Sequence, residues 1–170
     1  MNDMGENFGL PPLVAEIANG SVSWVRLEDL DYEMLGYFLS CHLVIEHYIE
    51  EYFKISYPTL DWDAAHHTFG QKVSLLSRFK ISDKYDFIPA IKHLNSLRNK
   101  LSHDVEFKIT SEDLLPLTQY LTKVYSPEHT SLIPKEPKAI LTQFTSMTCV
   151  LFAAMISERA THLPSSETRS

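Results

Sequence analysis

Apolar residues recur every three to four positions through 30–55, where Leu35, Phe38, Leu39, Leu43, Ile45, Ile49 and Phe53 mark one stripe. That spacing predicts a helix of about 25 residues, longer than the average helix in a globular protein. Such a stripe must be buried against other helices, so the chain is constrained towards a bundle. Tyr57-Pro58 ends the first helix, since the residue before a proline avoids helical backbone angles.

The rest of the chain repeats the pattern. A second helix is expected over 63–79, with Asp63 as its N-cap and Phe69, Val73, Leu76 and Phe79 on one side. A short connection over 81–84 leads to a third helix over 86–103. Pro89 lies in its first turn, and Ile91, Leu94, Leu97 and Leu101 form its stripe. Thr110-Ser111-Glu112-Asp113 looks like a helix start, so a helix is expected over 112–125. The proline-rich segment 126–137 reads as a loop, and a last apolar helix spans about 138–162. Residues 5–23 contain Gly, Asn and Pro11-Pro12 and read as a lead-in with one short helical turn at 13–18. No segment reads as a strand. The expected fold is all-α, a four- to five-helix bundle. Residues 1–25 would be the lead-in, 26–163 the helical domain and 164–170 a disordered tail.

A chain of 170 residues fits one domain with a real core, and 44% hydrophobic with 22% charged residues is the composition of a soluble globule. No run approaches the 18 or more apolar residues of a membrane span, and the acidic N-terminus does not resemble a signal peptide. With only Cys41 and Cys149 present, the thiols are expected to be reduced and the protein cytoplasmic. The net charge of −7 argues against a surface that attracts nucleic acid everywhere. Its distribution is uneven: residues 1–70 carry −10, residues 71–108 carry +4 and residues 109–170 carry −1.

The basic third contains Arg98-Asn99-Lys100-Leu101-Ser102-His103. Arginine keeps its charge and grips a phosphate with two parallel hydrogen bonds. Histidine changes protonation near neutrality and can move a proton. The pair of Arg98 and His103 suits chemistry on a phosphodiester that needs no metal. In a chain of this composition an Arg followed five positions later by a His arises by chance roughly one time in four, and an adjacent Asn lowers that to about one in a hundred. On an ideal helix the two residues lie about 140° apart, so they would meet only if the helix frayed near Ser102 or a second copy faced the first. The structural alternative pairs Arg98 with an acidic neighbour and lets His103 favour the helix C-terminus.

Arg98-Asn99-x-x-x-His103 is similar to the Arg-Asn-x-x-x-His signature of the HEPN superfamily (higher eukaryotes and prokaryotes nucleotide-binding). The segment Phe69-Gly70-Gln71-Lys72-Val73-Ser74-Leu75-Leu76 resembles the helix that often precedes that motif, and Leu94-Asn95-Ser96-Leu97 runs into it. The resemblance covers about 30–125. It implies a homodimeric helical bundle in which two motifs face one cleft. Many members are metal-independent ribonucleases, including toxins of toxin–antitoxin and phage-defence systems. Others are non-catalytic regulators, and the mannitol operon repressor has a similar motif region. The implied partners are a second copy, RNA, and an antitoxin or regulatory protein. The resemblance implies Arg98, Asn99 and His103 as catalytic residues, with no cofactor and no metal, and Lys72, Lys92, Asn95, Lys100 and Ser102 as RNA contacts. Toxins controlled by a nucleotidyltransferase often carry a Tyr two positions past the His, where this chain has Val105. Asp104 would orient His103 or raise its pKa.

Other groupings are weaker. His42 and Glu46 lie one helical turn apart, as in some metal sites, but no third ligand accompanies them. His66-His67 points its rings about 100° apart. Trp24 and Trp62 read as packing anchors.

Overall fold

The structure, a computed structural model, describes residues 13–25, 30–62, 64–79, 81–104 and 107–161. Five helices form the body: α1 (Tyr32–Ser56), α2 (Phe69–Leu76), α3 (Ile88–His103), α4 (Leu115–Val124) and α5 (Pro137–Thr161). Short 3-10 turns occupy Asp83–Tyr85, one residue past the end of the first expected connection, and Pro127–Leu132, inside the second. The helical character and the order of the five helices follow the apolar periodicity. The expected tail at 164–170 and the expected cap Asp63 lie outside the described residues.

The expectations of a helical turn at 13–18 and of no strand are overturned. Residues 13–18 are not a helical turn but a strand, β1 (Leu13–Ala18), paired antiparallel with β2 (Ser21–Val25). Asn19 and Gly20 join them with φ of 52° and 74°. Two successive left-handed residues make the tight turn that matches the strands' own twist, and Asn-Gly is its favoured sequence. Val14 stands opposite Trp24 and Ile17 opposite Val22, so these four share one face of the hairpin, and all are exposed. Trp24 is 59% exposed and therefore anchors no packing.

The two long helices, α1 and α5, lie against each other along much of their length, with α2, α3 and α4 closing the core. Phe38, Ile45, Ile49 and Phe53 of α1 meet Leu141, Phe144 and Phe152 of α5, with Ile91 and Leu94 of α3 and Leu117 and Leu121 of α4. Trp62 does anchor packing: its ring stacks on Phe53 with centroids 5.1 Å apart and planes 13° from parallel.

The buried row of α1 differs from the expected stripe. It runs through Phe38, Cys41, His42, Ile45, Ile49, Tyr52 and Phe53, while Leu39 and Leu43 are exposed. A histidine thus occupies a place in the core row, with an exposed leucine on either side of it.

Helix α2 is shorter than expected because Thr68 caps it. The Thr68 hydroxyl accepts from the Gln71 N–H at 3.3 Å, and the Gln71 side chain accepts from the Thr68 N–H at 2.8 Å. This reciprocal pair satisfies two of the N–H groups a helix start leaves free. Helix α4 begins three residues later than expected. Thr110 and Asp113 make the same kind of reciprocal contact ahead of it, with the Thr110 N–H on Asp113 Oδ2 at 3.0 Å and the Asp113 N–H on Thr110 Oγ1 at 3.3 Å. The Asp113 carbonyl also accepts from His93 Nε2 at 2.6 Å, which ties this turn to α3.

Cys41 is buried, Cys149 is half-buried, and both thiols are free. Burial, and then the neighbouring Cys41, push the Cys149 thiol up to about 11. Helix α5 is long and apolar enough, by length and composition, to cross a membrane. Of its most apolar stretch only 28% is buried within the chain, which leaves Val150, Ala153 and Ala154 facing outwards.

Candidate functional site

Helix α3 presents the motif. Leu94 and Leu97 are buried and Leu101 half-buried, so this side is fixed against the core. The opposite side of the last two turns therefore projects Arg98, Asn99, Lys100, Ser102 and His103, all exposed. The helix does not fray early. It runs regularly through His103, and the Asp104 N–H closes the final turn on the Lys100 carbonyl at 2.9 Å. The Arg98-to-His103 offset of about 140° thus stands within one chain.

The neighbours of the motif are engaged in distinct ways. The Ser102 hydroxyl donates to the Arg98 carbonyl at 2.9 Å, which occupies its proton but leaves its lone pairs free. The Lys100 ammonium lies 3.6 Å from the centre of the Phe107 ring, a cation–π contact that holds the chain just past the helix. Lys100 also helps hold the Asp113 carboxyl below its ordinary range. Burial there acts the other way, and the Thr110 hydroxyl and N–H outweigh it. Lys92, near the start of α3, is exposed.

Lys72 is placed differently from its expected role. It is 9% exposed, and its ammonium donates to Glu46 Oε1 at 2.8 Å and to Glu50. A lysine committed to two carboxylates between α1 and α2 cannot serve as a phosphate contact. Burial alone would lower its pKa, but the hydrogen bonds to Glu46 and Glu50 outweigh that and raise it.

The same carboxylate leads inward to the group that sequence reasoning left out of the site. His42, 5% exposed, places Nδ1 4.0 Å from Glu46 Oε2. Its ring lies 4.1 Å from that of Phe69, and its Nε2 is buried with no hydrogen bond among the described residues. Burial is the main force lowering the His42 pKa. The Arg98 charge pushes the same way, while Glu46 and Asn95 oppose them. Gly70 on α2 faces Asn95, since a Cβ there would meet Asn95 Nδ2 at 3.6 Å.

The structure therefore brings Asn95 of the motif helix to His42, within reach of the Arg98 charge, and continues through Glu46 to Lys72 and Glu50. It does not bring His103 to Arg98. The missed signal was the place of His42 in the 38–42–45–49 row: a histidine in a core row must find polar partners. Among the described residues no group of three or more His, Cys, Asp or Glu is arranged to hold a metal ion.

No family model matches this chain, and neither the curated proteins nor the solved structures contain a significant match to it.

Proposed function

We propose that this protein is a metal-independent endoribonuclease of HEPN type, a toxin or defence effector whose site is completed by a second copy of the chain. The supporting observation is the exposure of Arg98, Asn99 and His103 on a helix end whose other side is held in the core. Polar groups placed for packing would be paired or buried, whereas these face solvent on a rigid support.

The reaction is attack of an RNA 2′-oxygen on the adjacent phosphorus. A P–O2′ bond forms and the P–O5′ bond breaks, leaving a 2′,3′-cyclic phosphate and a 5′-hydroxyl. His103 accepts the 2′-hydroxyl proton, and the partner subunit's His103 supplies a proton to the departing 5′-oxygen. Arg98 stabilises the charge that builds on the phosphoryl oxygens, and Asn99 orients His103 or the phosphate. RNA is the substrate because the 2′-hydroxyl is the nucleophile. The separation of about 140° within one chain requires two copies.

That same separation favours a second reading, a non-catalytic HEPN-fold regulator that binds a protein or nucleic-acid partner. RNA cleavage by the purified protein in EDTA distinguishes the two. Wild type should cleave, and Arg98→Ala and His103→Ala should each lose at least about a hundredfold, the scale of an acid–base or charge-stabilising group. Folded wild type that cleaves no RNA would leave the regulator.

A further inference from the structure

A second concave site lies far from the motif, where the end of α1, the entry to α3 and the last turns of α5 converge. It is a cavity of about 420 Å³, within the range of small-molecule pockets. Its wall is aromatic: the Tyr52 and Phe79 rings stand 5.5 Å apart at 72°, and Phe87 closes the interior. Met155, also on the lining, adds a polarisable, adaptable surface.

The charge at its mouth is Arg159. Its guanidinium lies 5.6 Å from the Tyr52 ring centre and 5.9 Å from that of Phe79, so two rings hold it in place. One N–H, on Nη2, donates to the Tyr52 hydroxyl at 3.3 Å. Arg159 makes no ion pair among the described residues, and its planar fork matches a carboxylate with two parallel hydrogen bonds. Glu158 lines the same cavity. Its carboxylate repels negative charge, so Arg159 is the place for one anionic group and a second would meet Glu158.

We propose that this cavity binds a small flat aromatic monoanion, with the ring against Phe79, Tyr85 and Met155 over a floor of buried Tyr52 and Phe87, and the carboxylate on Arg159. The site is separate from the motif, because Phe87 and Arg98 are about 16 Å apart along α3 at the ordinary helical rise. It therefore stands whether or not the chain cleaves RNA.

The test uses the full chain with 2-naphthoate and its neutral isostere 2-naphthamide, titrated by calorimetry. Naphthoate should bind about tenfold or more tightly than the amide, the scale of one charge-assisted contact. Arg159→Gln, an exposed position, should erase that preference without changing the melting temperature. Met155→Trp, which fills the cavity, should abolish binding of both probes. If that variant misfolds, Arg159→Gln decides alone. Naphthoate that does not saturate at millimolar concentration, or that binds Arg159→Gln as well as wild type, would overturn the proposal.

Discussion

A histidine in a core row and a tyrosine hydroxyl in the same core have opposite consequences, and both can be measured. Burial lowers the His42 pKa below its ordinary value of 6.5, with Arg98 adding to the effect. In the unfolded chain the imidazole takes up a proton at higher pH than in the fold. The stabilisation from neutral His42 is therefore complete above about pH 6.5 and is lost as pH falls through the lowered value. Melting temperature should fall from neutral pH towards about pH 5, and His42→Gln should flatten that slope. An unchanged slope would show that other groups carry the acid sensitivity. Tyr120 is 4% exposed, its ring stands edge-on to Phe144, and its hydroxyl has no hydrogen-bond partner among the described residues. Burial is the chief force raising its pKa. Removing a buried hydroxyl without a partner relieves a desolvation cost. Tyr120→Phe should then leave stability unchanged or raise it by up to about 1 kcal/mol in urea unfolding. A loss of stability would mean that the hydroxyl has a partner outside the described residues.

At the scale of elements, what the sequence made legible depended on the length of the periodic signal. The long helices α1 and α5 and the motif helix α3 repeat their apolar spacing over several turns, and each end falls within two residues of expectation. The phase within α1 was harder to read. Leucine at 39 and 43 fits the spacing as well as the true row does, and only packing chooses His42 over Leu43. Short elements are governed by local chemistry instead. Asn19-Gly20 between Val14-Ala15-Glu16-Ile17 and Val22-Ser23-Trp24 carried the hairpin signal, and Thr68-x-x-Gln71 carried the true start of α2. For the candidate site, the exposed motif was legible because it is contiguous in sequence, whereas the His42–Glu46–Lys72 chain was not, because it joins two helices, α1 and α2. Lys72 tests that join. Lys72→Met keeps the apolar stem but leaves Glu46 and Glu50 facing each other without a cation. Glu46 and Glu50 are 24% and 39% exposed at the side chain, so solvent moderates the loss to about 1–2 kcal/mol. Urea unfolding of Lys72→Met, with wild type alongside, would measure it. Indifference to the substitution would show that the α1–α2 contact rests on Phe69, Val73 and Leu76 alone.

The whole molecule leaves two apolar surfaces uncovered on its long helices, and they make different statements about the site. On α1, Leu43 is 63% exposed and Leu39 is 37% exposed, flanking the row that carries His42. His42 in turn meets Asn95 of the motif helix and feels the Arg98 charge. On α5, Val150 is 64% exposed between the small residues of an apolar helix. A two-fold contact is self-complementary, so an apolar stripe on one copy meets the same stripe on the other. If the Leu39/Leu43 stripe makes that contact, both motif helices lie next to the seam, and Arg98 of one copy can approach His103 of the other. A contact through Val150 implies no such approach, because α5 packs chiefly on α1 and α4 rather than on α3. Leu43→Arg should therefore convert a dimer to a monomer in sedimentation velocity and abolish RNA cleavage. Val150→Arg should leave both mass and cleavage as in wild type. Both positions are exposed, so neither substitution should change the melting temperature by more than surface changes do, roughly 0.5 kcal/mol in stability. Dissociation by Val150→Arg with no effect of Leu43→Arg would place the two motifs apart. The separation of Arg98 and His103 within one chain would then have no remedy, and the regulatory reading would replace the ribonuclease.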